Sequence, residues 1–275
     1  MLNKTRTKPN HHPCFYSKAK NKYGRVHLPV APSCNIQCVY CRRDYDCVHE
    51  NRPGVTKEVI SPEQALISFE KTLKEMPFIS VAGIAGPGDA FSIPELTLKT
   101  FELIRNKNTE ISLCVSTNGL NIKEYIPLLS DLNVRYVTIT VNCIDPVMGT
   151  NIYKWINVDG SRLTGIDAAG TLIEKQLEAI SILKNNNFTV KVNSVVIPGI
   201  NEAHLIFLAR KMGSMSVDLM NFIPVIPVKG TDIENICPPG KKTMHRLRKT
   251  AGTYVSQMHH CTRCRSDVRG LLKNS

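Results

Sequence analysis

The sequence lacks the features of a membrane or exported protein. No run approaches the roughly 18 consecutive apolar residues that a membrane-spanning helix needs. Residues 1–12 are polar and basic, without the apolar segment of a secretory signal. We therefore expect a cytoplasmic protein that has no membrane partner.

Signs of a second domain are also missing, since the sequence contains no internal repeat and no low-complexity tract. With 275 residues, of which 42% are hydrophobic, the chain is long enough to bury one large core. We expect a single domain over residues 1–275. It would consist of an N-terminal arm at 1–33, a core at 34–226 and a C-terminal extension at 227–275.

Acidic residues are scarce relative to basic ones. The 35 lysines and arginines against 23 acids give a formal net charge of +12. A basic surface attracts nucleic acid and other anionic partners. However, no basic motif interleaved with aromatic residues is present, so nucleic-acid binding is the less favoured interpretation. The charge is better explained as solvated surface, or as an offset to bound anionic clusters.

Cysteine, in contrast, is abundant, with ten residues in the chain. A reducing cytoplasm does not favour structural disulfides, so clustered cysteines there more often bind metal or perform redox chemistry. Five of the ten lie between positions 14 and 47, and two lie near the C-terminus. The ten are Cys14, Cys34, Cys38, Cys41, Cys47, Cys114, Cys143, Cys237, Cys261 and Cys264.

From residue 61 onward the hydrophobic pattern alternates between helices and strands. Ser61 and Pro62 predict a capped helix start, and Asn201 predicts another helix cap. Strands are predicted at 78–84, 110–116, 134–141, 188–197 and 217–226, with a sixth near 26–30. Helices are predicted at about 62–76, 94–105, 121–131, 168–185, 202–212 and 241–257, and residues 142–166 are predicted to form an insertion.

This alternation predicts a parallel sheet covered by helices, because parallel strands are joined by helical crossovers. Six units are too few for a closed barrel of eight strands. We therefore expect an α/β fold, a partial (β/α)6 barrel with N- and C-terminal extensions. Ligands of such sheets bind beyond the carboxyl ends of the strands.

One motif carries the chemistry. Cys34, Cys38 and Cys41 form a C-x3-C-x2-C pattern directly after a predicted strand. Three thiolates at this spacing can hold one side of a [4Fe–4S] cluster and leave its fourth iron without a protein ligand. The alternative is a zinc site completed by Cys47 or His49. Spacing alone leaves both interpretations open.

The motif, with Tyr40 at its aromatic position, resembles the signature of the radical S-adenosylmethionine (radical SAM) superfamily. The resemblance implies that the open iron binds SAM and that SAM is cleaved to a 5′-deoxyadenosyl radical. Residues 83–89 and 116–119 resemble the family's SAM-side loops, with Asp89 as acceptor for the methionine amino group and Asn193 as a ribose contact. Each of these could instead be structural. The implied SAM-binding residues are Tyr40, Gly86, Gly88, Asp89, Thr117, Asn118 and Asn193.

Residues 27–55, together with 83–89, 116–119 and 261–270, resemble the members of this superfamily that build the metal cofactor of nitrogenase. The resemblance implies that two further [4Fe–4S] clusters are substrates. They would be fused, with a SAM-derived carbide, into an eight-iron precursor. Some relatives carry an additional C-terminal domain that binds clusters, and we expect this chain to be a short form without it.

The resemblance also implies ligands for the two substrate clusters, three for each, so that one corner of each cluster stays open for fusion. These are Cys14, His27 and Cys114 for one cluster and Cys47, Cys261 and Cys264 for the other. Glu50 is a weaker suggestion for an acid or base. A structural role is the simpler alternative for these residues, because a buried cysteine often acts only as a small apolar residue. Cys143 and Cys237 are interpreted as structural.

The implied partners are proteins that donate iron–sulfur clusters, a carrier or acceptor of the product, and an electron donor such as ferredoxin. Two other functions stay open. The net charge of +12 allows a radical SAM methyltransferase that acts on RNA. A non-catalytic carrier of zinc or iron–sulfur clusters would also account for the cysteines.

Overall fold

The computed structural model describes residues 11–42, 44–47 and 58–272. In chain order the elements are β1 (Gly24–His27), β2 (Ile36–Cys38), α1 (Pro62–Glu75), β3 (Ile79–Ile84), α2 (Pro94–Lys107), β4 (Ser112–Thr117), α3 (Ile126–Asp131), β5 (Val134–Thr140), α4 (Pro146–Gly149), β6 (Tyr153–Val158), β7 (Ser161–Leu163), α5 (Gly165–Asn185), β8 (Thr189–Val196), α6 (Leu205–Ser214), β9 (Leu219–Pro224), α7 (Lys241–Ala251) and β10 (Arg269–Gly270). Short 3-10 turns lie at Ser17–Ala19 and Lys123–Tyr125.

The main sheet has the strand order β10-β1-β3-β4-β5-β8-β9. Every neighbouring pair from β1 to β9 is parallel, and only β10 runs antiparallel to β1. Successive parallel strands are joined through helices, as parallel pairing requires. The sheet curls without closing, so the predicted α/β fold with a partial (β/α)6 barrel is confirmed.

The helices cover one face of this sheet and form the main core with it. Phe69 of α1, Ile104 of α2 and Leu183 of α5 are buried in one cluster with Leu113 and Val137 of the strands. Such burial stabilises each large apolar side chain by about 1.5–3 kcal/mol. None of the described helices has the length and apolar character needed to cross a membrane.

The opposite face of the sheet, here called the inner face, is polar. Its residues alternate with the core positions of the same strands because neighbouring side chains of a strand point to opposite faces. The N-terminal segment packs against this face, with the ring centroids of Phe15 and His12 lying 5.0 Å and 4.6 Å from that of Tyr136. The inner-face residues include Arg25, His27, Cys114, Tyr136, Lys191 and Asn193.

The predicted insertion at 142–166 contains structure that the sequence did not reveal. It holds α4 and the hairpin β6–β7, and this hairpin pairs with β2 in a second, antiparallel sheet. Gln37 of β2 lies opposite Trp155 of β6. A strand of three residues gives almost no periodic signal, and its partner is more than a hundred residues away, so local patterns could not predict the pairing.

The start of α1 is as predicted. Ser61 accepts a hydrogen bond from the backbone of Gln64, and the Gln64 side chain accepts one from the backbone of Ser61. Boundaries differ elsewhere by a few residues. The sixth strand lies at 24–27 rather than 26–30, and the basic helix α7 ends at Ala251 rather than at 257.

The predicted cap at Asn201 is wrong. Helix α6 begins later, at Leu205, and Asn201 is fully buried. Its amide donates to Asn142 O and Val195 O and accepts from the backbone of Ile197. These bonds satisfy buried backbone groups at the end of β8, a requirement that outweighs the local capping preference.

Substitution of Gly88 tests whether the cysteine-containing loop packs directly against the backbone at this position. A Cβ at this position would lie 1.9 Å from Ser33 O, so a side chain would collide with backbone. We expect Gly88→Ala to lower the free energy of unfolding by about 1–3 kcal/mol, the usual cost of overpacking. Chemical denaturation of the purified variant would measure the change.

Gly170→Ala is the matched control, because the nearest atom to its new Cβ would be 3.9 Å away and the site lies within α5. This substitution should be neutral or should stabilise by up to about 1 kcal/mol, since alanine favours helix. Equal free energies of unfolding for the two variants would contradict the close packing of Gly88 against the cysteine-containing loop.

Candidate active site

The three motif cysteines lie on the loop that follows β1 and passes through β2. Cys38 is buried, and Cys34 and Cys41 are half-buried. Cys41 N donates to Cys38 O, and the Gln37 side chain donates to both Cys38 O and Cys41 O. The loop is therefore folded around the Gln37 side chain.

The glycine-rich segment after β3 holds this loop through the backbone. Gly88 N donates to Ala31 O at 2.8 Å, and Asp89 N donates to Ser33 O at 2.7 Å. Gly86 has a φ of 130°, a conformation that favours glycine. This segment therefore lies beside the cysteine loop, while its predicted contact with SAM stays a prediction.

The loop after β4 reaches the same place. The Asn118 side-chain amide donates to Asn35 Oδ1 at 2.6 Å and lies 3.7 Å from Cys34 Sγ. Asn118 therefore connects the β4 loop to the first motif cysteine. The Thr117 hydroxyl points instead to Asp89, to which it donates at 3.0 Å.

Asp89 joins these two loops. Its buried carboxylate accepts hydrogen bonds from the Thr117 hydroxyl, from Asn118 N at 2.5 Å and from Phe91 N at 2.9 Å. A carboxylate has about four acceptor sites, and these donors use most of them. The structure thus gives Asp89 a positioning role, while its bond to the methionine amino group of SAM stays a prediction.

Asn193 lies in a row of polar residues across three strands. Its register partners are Thr140 of β5 and Asn221 of β9, and the Asn221 amide donates to Asn193 Oδ1. Thr140 Oγ1 and Asn221 Oδ1 are buried without a hydrogen-bond partner among the described residues. Because buried polar atoms are normally paired, this row fits a polar small-molecule ligand such as SAM.

The role of Asn193 as a ribose contact stays a prediction, and its neighbours Thr140 and Asn221 were not predicted as site residues. Asn221 carried a signal, since it is an amide in a strand of otherwise apolar residues, whereas Thr140 is a β-branched residue of the kind that strands favour. Tyr40 was predicted to bind SAM. Its surroundings are those of a core residue. Its side chain is 0% exposed, and its hydroxyl accepts from the Asn142 amide at 2.8 Å, so the ring is part of the core around β2.

His27 and Cys114 lie side by side on the inner face. His27, Gly83 and Cys114 occupy one row across β1, β3 and β4. A Cβ at Gly83 would lie 2.7 Å from Cys114 Sγ and 3.4 Å from His27 Cδ2. The missing side chain of Gly83 therefore allows the imidazole and the thiol to approach each other.

The His27 imidazole is suited to bind metal. Burial, aided by the nearby Arg25 cation, lowers the pKa of His27 to about 3, so the ring is neutral at pH 7. Its Nδ1 is buried and has no hydrogen-bond partner among the described residues. A neutral imidazole nitrogen is the form that coordinates metals.

Cys14 comes from the N-terminal segment and is close to the same interior. Burial raises the pKa of the Cys14 thiol to about 12; the charge of Lys191 opposes this rise, and Cys264 adds to it. Metal binding requires the thiolate, so a ligand role for Cys14 needs compensating positive charge nearby. These influences indicate that Cys14 lies near the C-terminal cysteines Cys261 and Cys264, whereas the predicted ligand set joined Cys14 with His27 and Cys114.

The C-terminal loop contacts both β1 and the segment that precedes Cys47. Cys264 Sγ accepts a hydrogen bond from Arg25 Nη2 at 2.8 Å, which places Cys264 beside β1. The backbone and hydroxyl of Ser266 both donate to the buried Asp46 carboxylate, next to Cys47. The loop therefore runs between the two groups of predicted ligands.

Cys47 itself lies against the motif cysteines. A hydrogen bond with Cys41 and burial raise the pKa of the Cys47 thiol, and the neighbouring Cys34 and Cys38 add to the rise. The Asp46–Ser266 contact connects the segment before Cys47 to the C-terminal loop. Whether Cys47 joins the C-terminal pair as a cluster ligand stays a prediction.

The sequence of the chain matches known proteins over most of its length. The family described as the Radical SAM superfamily matches residues 28–212. The chain belongs to the radical SAM superfamily. It is 47% identical over 261 residues to the FeMo cofactor biosynthesis protein NifB of Chlorobaculum tepidum, covering 95% of this chain and 62% of that protein. It is 43% identical to NifB of Herbaspirillum seropedicae, covering 96% and 51%.

The chain thus spans between about half and three-fifths of the length of these relatives. Among solved structures, SuiB of Streptococcus suis superposes with a TM-score of 0.61 at 12% identity, over 86% of this chain and 49% of that one. SuiB bound to S-adenosylmethionine gives 0.59 at 13% identity, over 87% and 52%. At such low identity these likenesses show the radical SAM fold alone.

The remaining candidates are placed as follows. Glu50 and His49 lie outside the described residues. Cys143 is buried in the core around β2, and Cys237 is exposed. No disulfide joins the ten cysteines. Within residues 11–42, 44–47 and 58–272, no group of three or more His, Cys, Asp or Glu side chains is arranged to hold a single metal ion.

Asp89→Asn tests whether the radical SAM loops depend on this carboxylate. The amide nitrogen cannot accept a hydrogen bond, so at least one buried donor loses its partner. We expect a loss of about 1–3 kcal/mol in the free energy of unfolding, measured by denaturation of the metal-free protein.

Asp232→Asn is the control, because its ion pair with Lys154 is half-exposed. Exposed pairs contribute about 0–1 kcal/mol, so this variant should keep nearly all of its stability. If Asp89→Asn were as stable as Asp232→Asn, the positioning role of Asp89 would have to be abandoned.

Proposed function

We propose that this chain is a radical SAM enzyme of nitrogenase cofactor biosynthesis. In this proposal it fuses two [4Fe–4S] substrate clusters, with insertion of a SAM-derived carbide, into an eight-iron precursor. One observation carries the proposal. Candidate cluster ligands from the N-terminal segment, from two strands and from the C-terminal loop lie on the inner side of one half-barrel. The similarity to NifB proteins supports the assignment.

The resident cofactor fits the residues at the motif. Cys34, Cys38 and Cys41 would hold a [4Fe–4S] cluster, because three thiols of one loop are the donors such clusters use. With SAM bound, this cofactor supplies a 5′-deoxyadenosyl radical. The Asn118 amide, 3.7 Å from Cys34 Sγ, would donate to that thiolate and stabilise its charge.

The polar row of Thr140, Asn193 and Asn221 would orient SAM. Two buried atoms of this row, Thr140 Oγ1 and Asn221 Oδ1, have no hydrogen-bond partner among the described residues and so remain available to a ligand. Asp89 would act by fixing Thr117 and Asn118 rather than only by contact with SAM. The packed core around β2 would keep bulk water from the reacting atoms.

The substrate clusters would be bound by three residues each. His27 and Cys114 are adjacent, Cys14 is influenced by Cys264 and Cys261, and Cys264 lies beside β1 through Arg25. A fusion reaction needs two neighbouring sites, and the C-terminal loop connects them through the Asp46–Ser266 contact. Because a neutral imidazole is a weaker ligand than a thiolate, His27 suits a cluster that must leave its site.

The proposed reaction also defines its partners by chemistry. Substrate clusters must be delivered by donor proteins, and the product must pass to a carrier or acceptor. Reductive cleavage of SAM needs an electron, so a one-electron donor such as ferredoxin is required. The net charge of +12 would favour acidic proteins in these roles.

Cys34→Ala tests the radical site. After anaerobic reconstitution with iron, sulfide and SAM, wild-type protein should form both 5′-deoxyadenosine and S-adenosylhomocysteine. Loss of one of three protein ligands should abolish 5′-deoxyadenosine in the variant. Cys237→Ser, a change at an exposed cysteine, should leave both products unchanged. Undiminished 5′-deoxyadenosine from Cys34→Ala would rule out the assigned cluster site.

The pair Cys261→Ala and Cys264→Ala tests the substrate sites. Wild-type protein should hold about twelve irons per chain, the sum for three four-iron clusters. The double variant should lose about four irons and the eight-iron product, while SAM cleavage persists. An unchanged yield of product would refute the ligand assignment.

The same measurements separate the other candidate functions. A wild-type content of about four irons, with SAM use that depends on RNA, would indicate a methyltransferase. Bound zinc, or bound iron without SAM cleavage, would indicate a carrier.

A further inference from the structure

Two pockets adjoin on the surface of the protein near the carboxyl ends of β5, β8 and β9. The first has a volume of about 700 Å³ and is lined by residues of the loops that follow these three strands. The second has a volume of about 500 Å³ and lies between α6 and α7. Gly199 and Ile200 line both pockets, so the two form one continuous surface.

The first pocket reaches the cysteine motif. Val39, which directly follows Cys38, lines this pocket together with Val147, Ile200 and Ile233. A protein seated in the pocket would therefore contact the residue next to a predicted ligand of the resident cluster. Electron transfer weakens steeply with distance, so a protein that reduces this cluster has to dock close to the motif. The first pocket offers such a position.

Exposed apolar side chains lie at both pockets. Val147, which lines the first pocket, is 65% exposed. Phe207, which follows Ile206 of the second pocket, is also 65% exposed. Interfaces between proteins combine an apolar centre with a polar rim, whereas interfaces with nucleic acid are more polar throughout. The centre of this surface therefore fits a protein better than it fits RNA.

The rim of the surface at α7 is basic. Residues 235–266 contain seven lysines and arginines and no acidic residue. Within α7, Lys242, Arg246 and Lys249 occupy positions i, i+4 and i+7, which lie on one side of a helix. Arg246 lines the second pocket, so the exposed Lys242 and Lys249 flank it. Neither lysine forms a salt bridge in the described part of the chain.

The acidic side chains that line the pockets already have partners. Asp232 pairs with Lys154 at 2.8 Å, and Glu202 pairs with Arg246 at 3.5 Å. The Asp145 carboxylate accepts hydrogen bonds from two backbone N–H groups of α4. The lysines of α7 therefore give the surface an excess of positive charge, which is complementary to an acidic partner.

We propose that the two pockets and the basic side of α7, here called the donor face, dock an acidic one-electron carrier protein of the ferredoxin type. The carrier passes one electron to the cluster held by Cys34, Cys38 and Cys41 and is itself oxidised by one electron. That electron breaks the bond between C5′ and the sulfonium sulfur of SAM, which leaves methionine and the 5′-deoxyadenosyl radical. This inference rests on the radical step of the proposed function and is independent of cluster fusion.

Binding of a plant-type [2Fe–2S] ferredoxin to the reconstituted full-length chain tests the charged rim. Isothermal titration calorimetry should show a Kd that rises with ionic strength, because salt screens the attraction. Lys242→Glu combined with Lys249→Glu should raise this Kd about tenfold. The control combines Lys71→Glu with Lys74→Glu, at exposed lysines of α1, which packs against β3 rather than β9. It changes the net charge equally and should leave the Kd within about twofold of wild type.

Val147→Ser tests the apolar centre of the donor face. Loss of its apolar contact should raise the Kd for ferredoxin about fivefold. Ile67→Ser is the matched control, because Ile67 is 66% exposed and lies on α1. This control should bind ferredoxin as wild type does.

A chemical reductant separates docking from the radical step. Dithionite reduces the cluster without a docked protein, so all donor-face variants should form 5′-deoxyadenosine with dithionite at the wild-type rate. With ferredoxin kept reduced by NADPH and its reductase, the KM for ferredoxin should rise in the same variants and by the same factor as the Kd. A defect in folding would instead lower both rates.

Unchanged Kd and KM values in the donor-face variants would overturn the proposal. So would a wild-type protein that cleaves SAM with dithionite but not with ferredoxin, and in either case the radical site of the proposed function stands. If dithionite gives no 5′-deoxyadenosine, the radical step of the proposed function is wrong and the donor face fails with it.

Two other occupants of the donor face would also contradict the proposal. RNA is indicated if a mixed-sequence oligonucleotide binds wild type but not the variant with Lys242→Glu and Lys249→Glu, while ferredoxin binds both equally. A second copy of the chain is indicated if wild type is a dimer that Val147→Ser dissociates.

Discussion

The site depends on the backbone contact between the cysteine loop and the glycine-rich segment after β3. Two hydrogen bonds, from Gly88 N to Ala31 O and from Asp89 N to Ser33 O, place the chain directly before Cys34. The contact is possible only because Gly88 has no side chain where the backbone of Ser33 passes. Asp89 then extends the arrangement to the β4 loop through Thr117 and Asn118. One close approach of backbone thus positions the motif and its surroundings together.

The helix-covered face of the sheet provides most of the stability of the fold, and the inner face carries the polar residues of the candidate site. The face under the helices carries the large apolar cluster, which can supply most of the stability of the fold. The inner face can therefore tolerate features that reduce stability, such as the partly compensated Arg25 and the orphaned atoms Thr140 Oγ1 and Asn221 Oδ1. Unsatisfied groups of this kind cost about 1–3 kcal/mol each, and they persist where a ligand satisfies them.

The sequence predicted the fold well because its signals are local. Helical and strand periodicity from residue 61 onward gave all six helices of the half-barrel, and the cap at Ser61 is as expected. Contacts between distant segments were beyond such signals. Nothing local relates Cys14 to Cys264, or β2 to β6, because their proximity is a product of the curled sheet.

The attachment of the C-terminal loop links ligand binding to folding. Strand β10 has only two residues, and the chain around it is held by individual hydrogen bonds, among them those of Arg25 to Gly270 O and Leu271 O, of Ser266 to Asp46 and of His27 N to Val268 O. Any ligand that binds only the folded state stabilises that state by mass action. A cluster coordinated jointly by the N-terminal segment, β1 and the C-terminal loop would therefore stabilise the contacts that attach the C-terminal loop. Once the cluster has left, those contacts return to the strength of a few hydrogen bonds. In the proposed function, the same loop would hold substrate tightly and would release product.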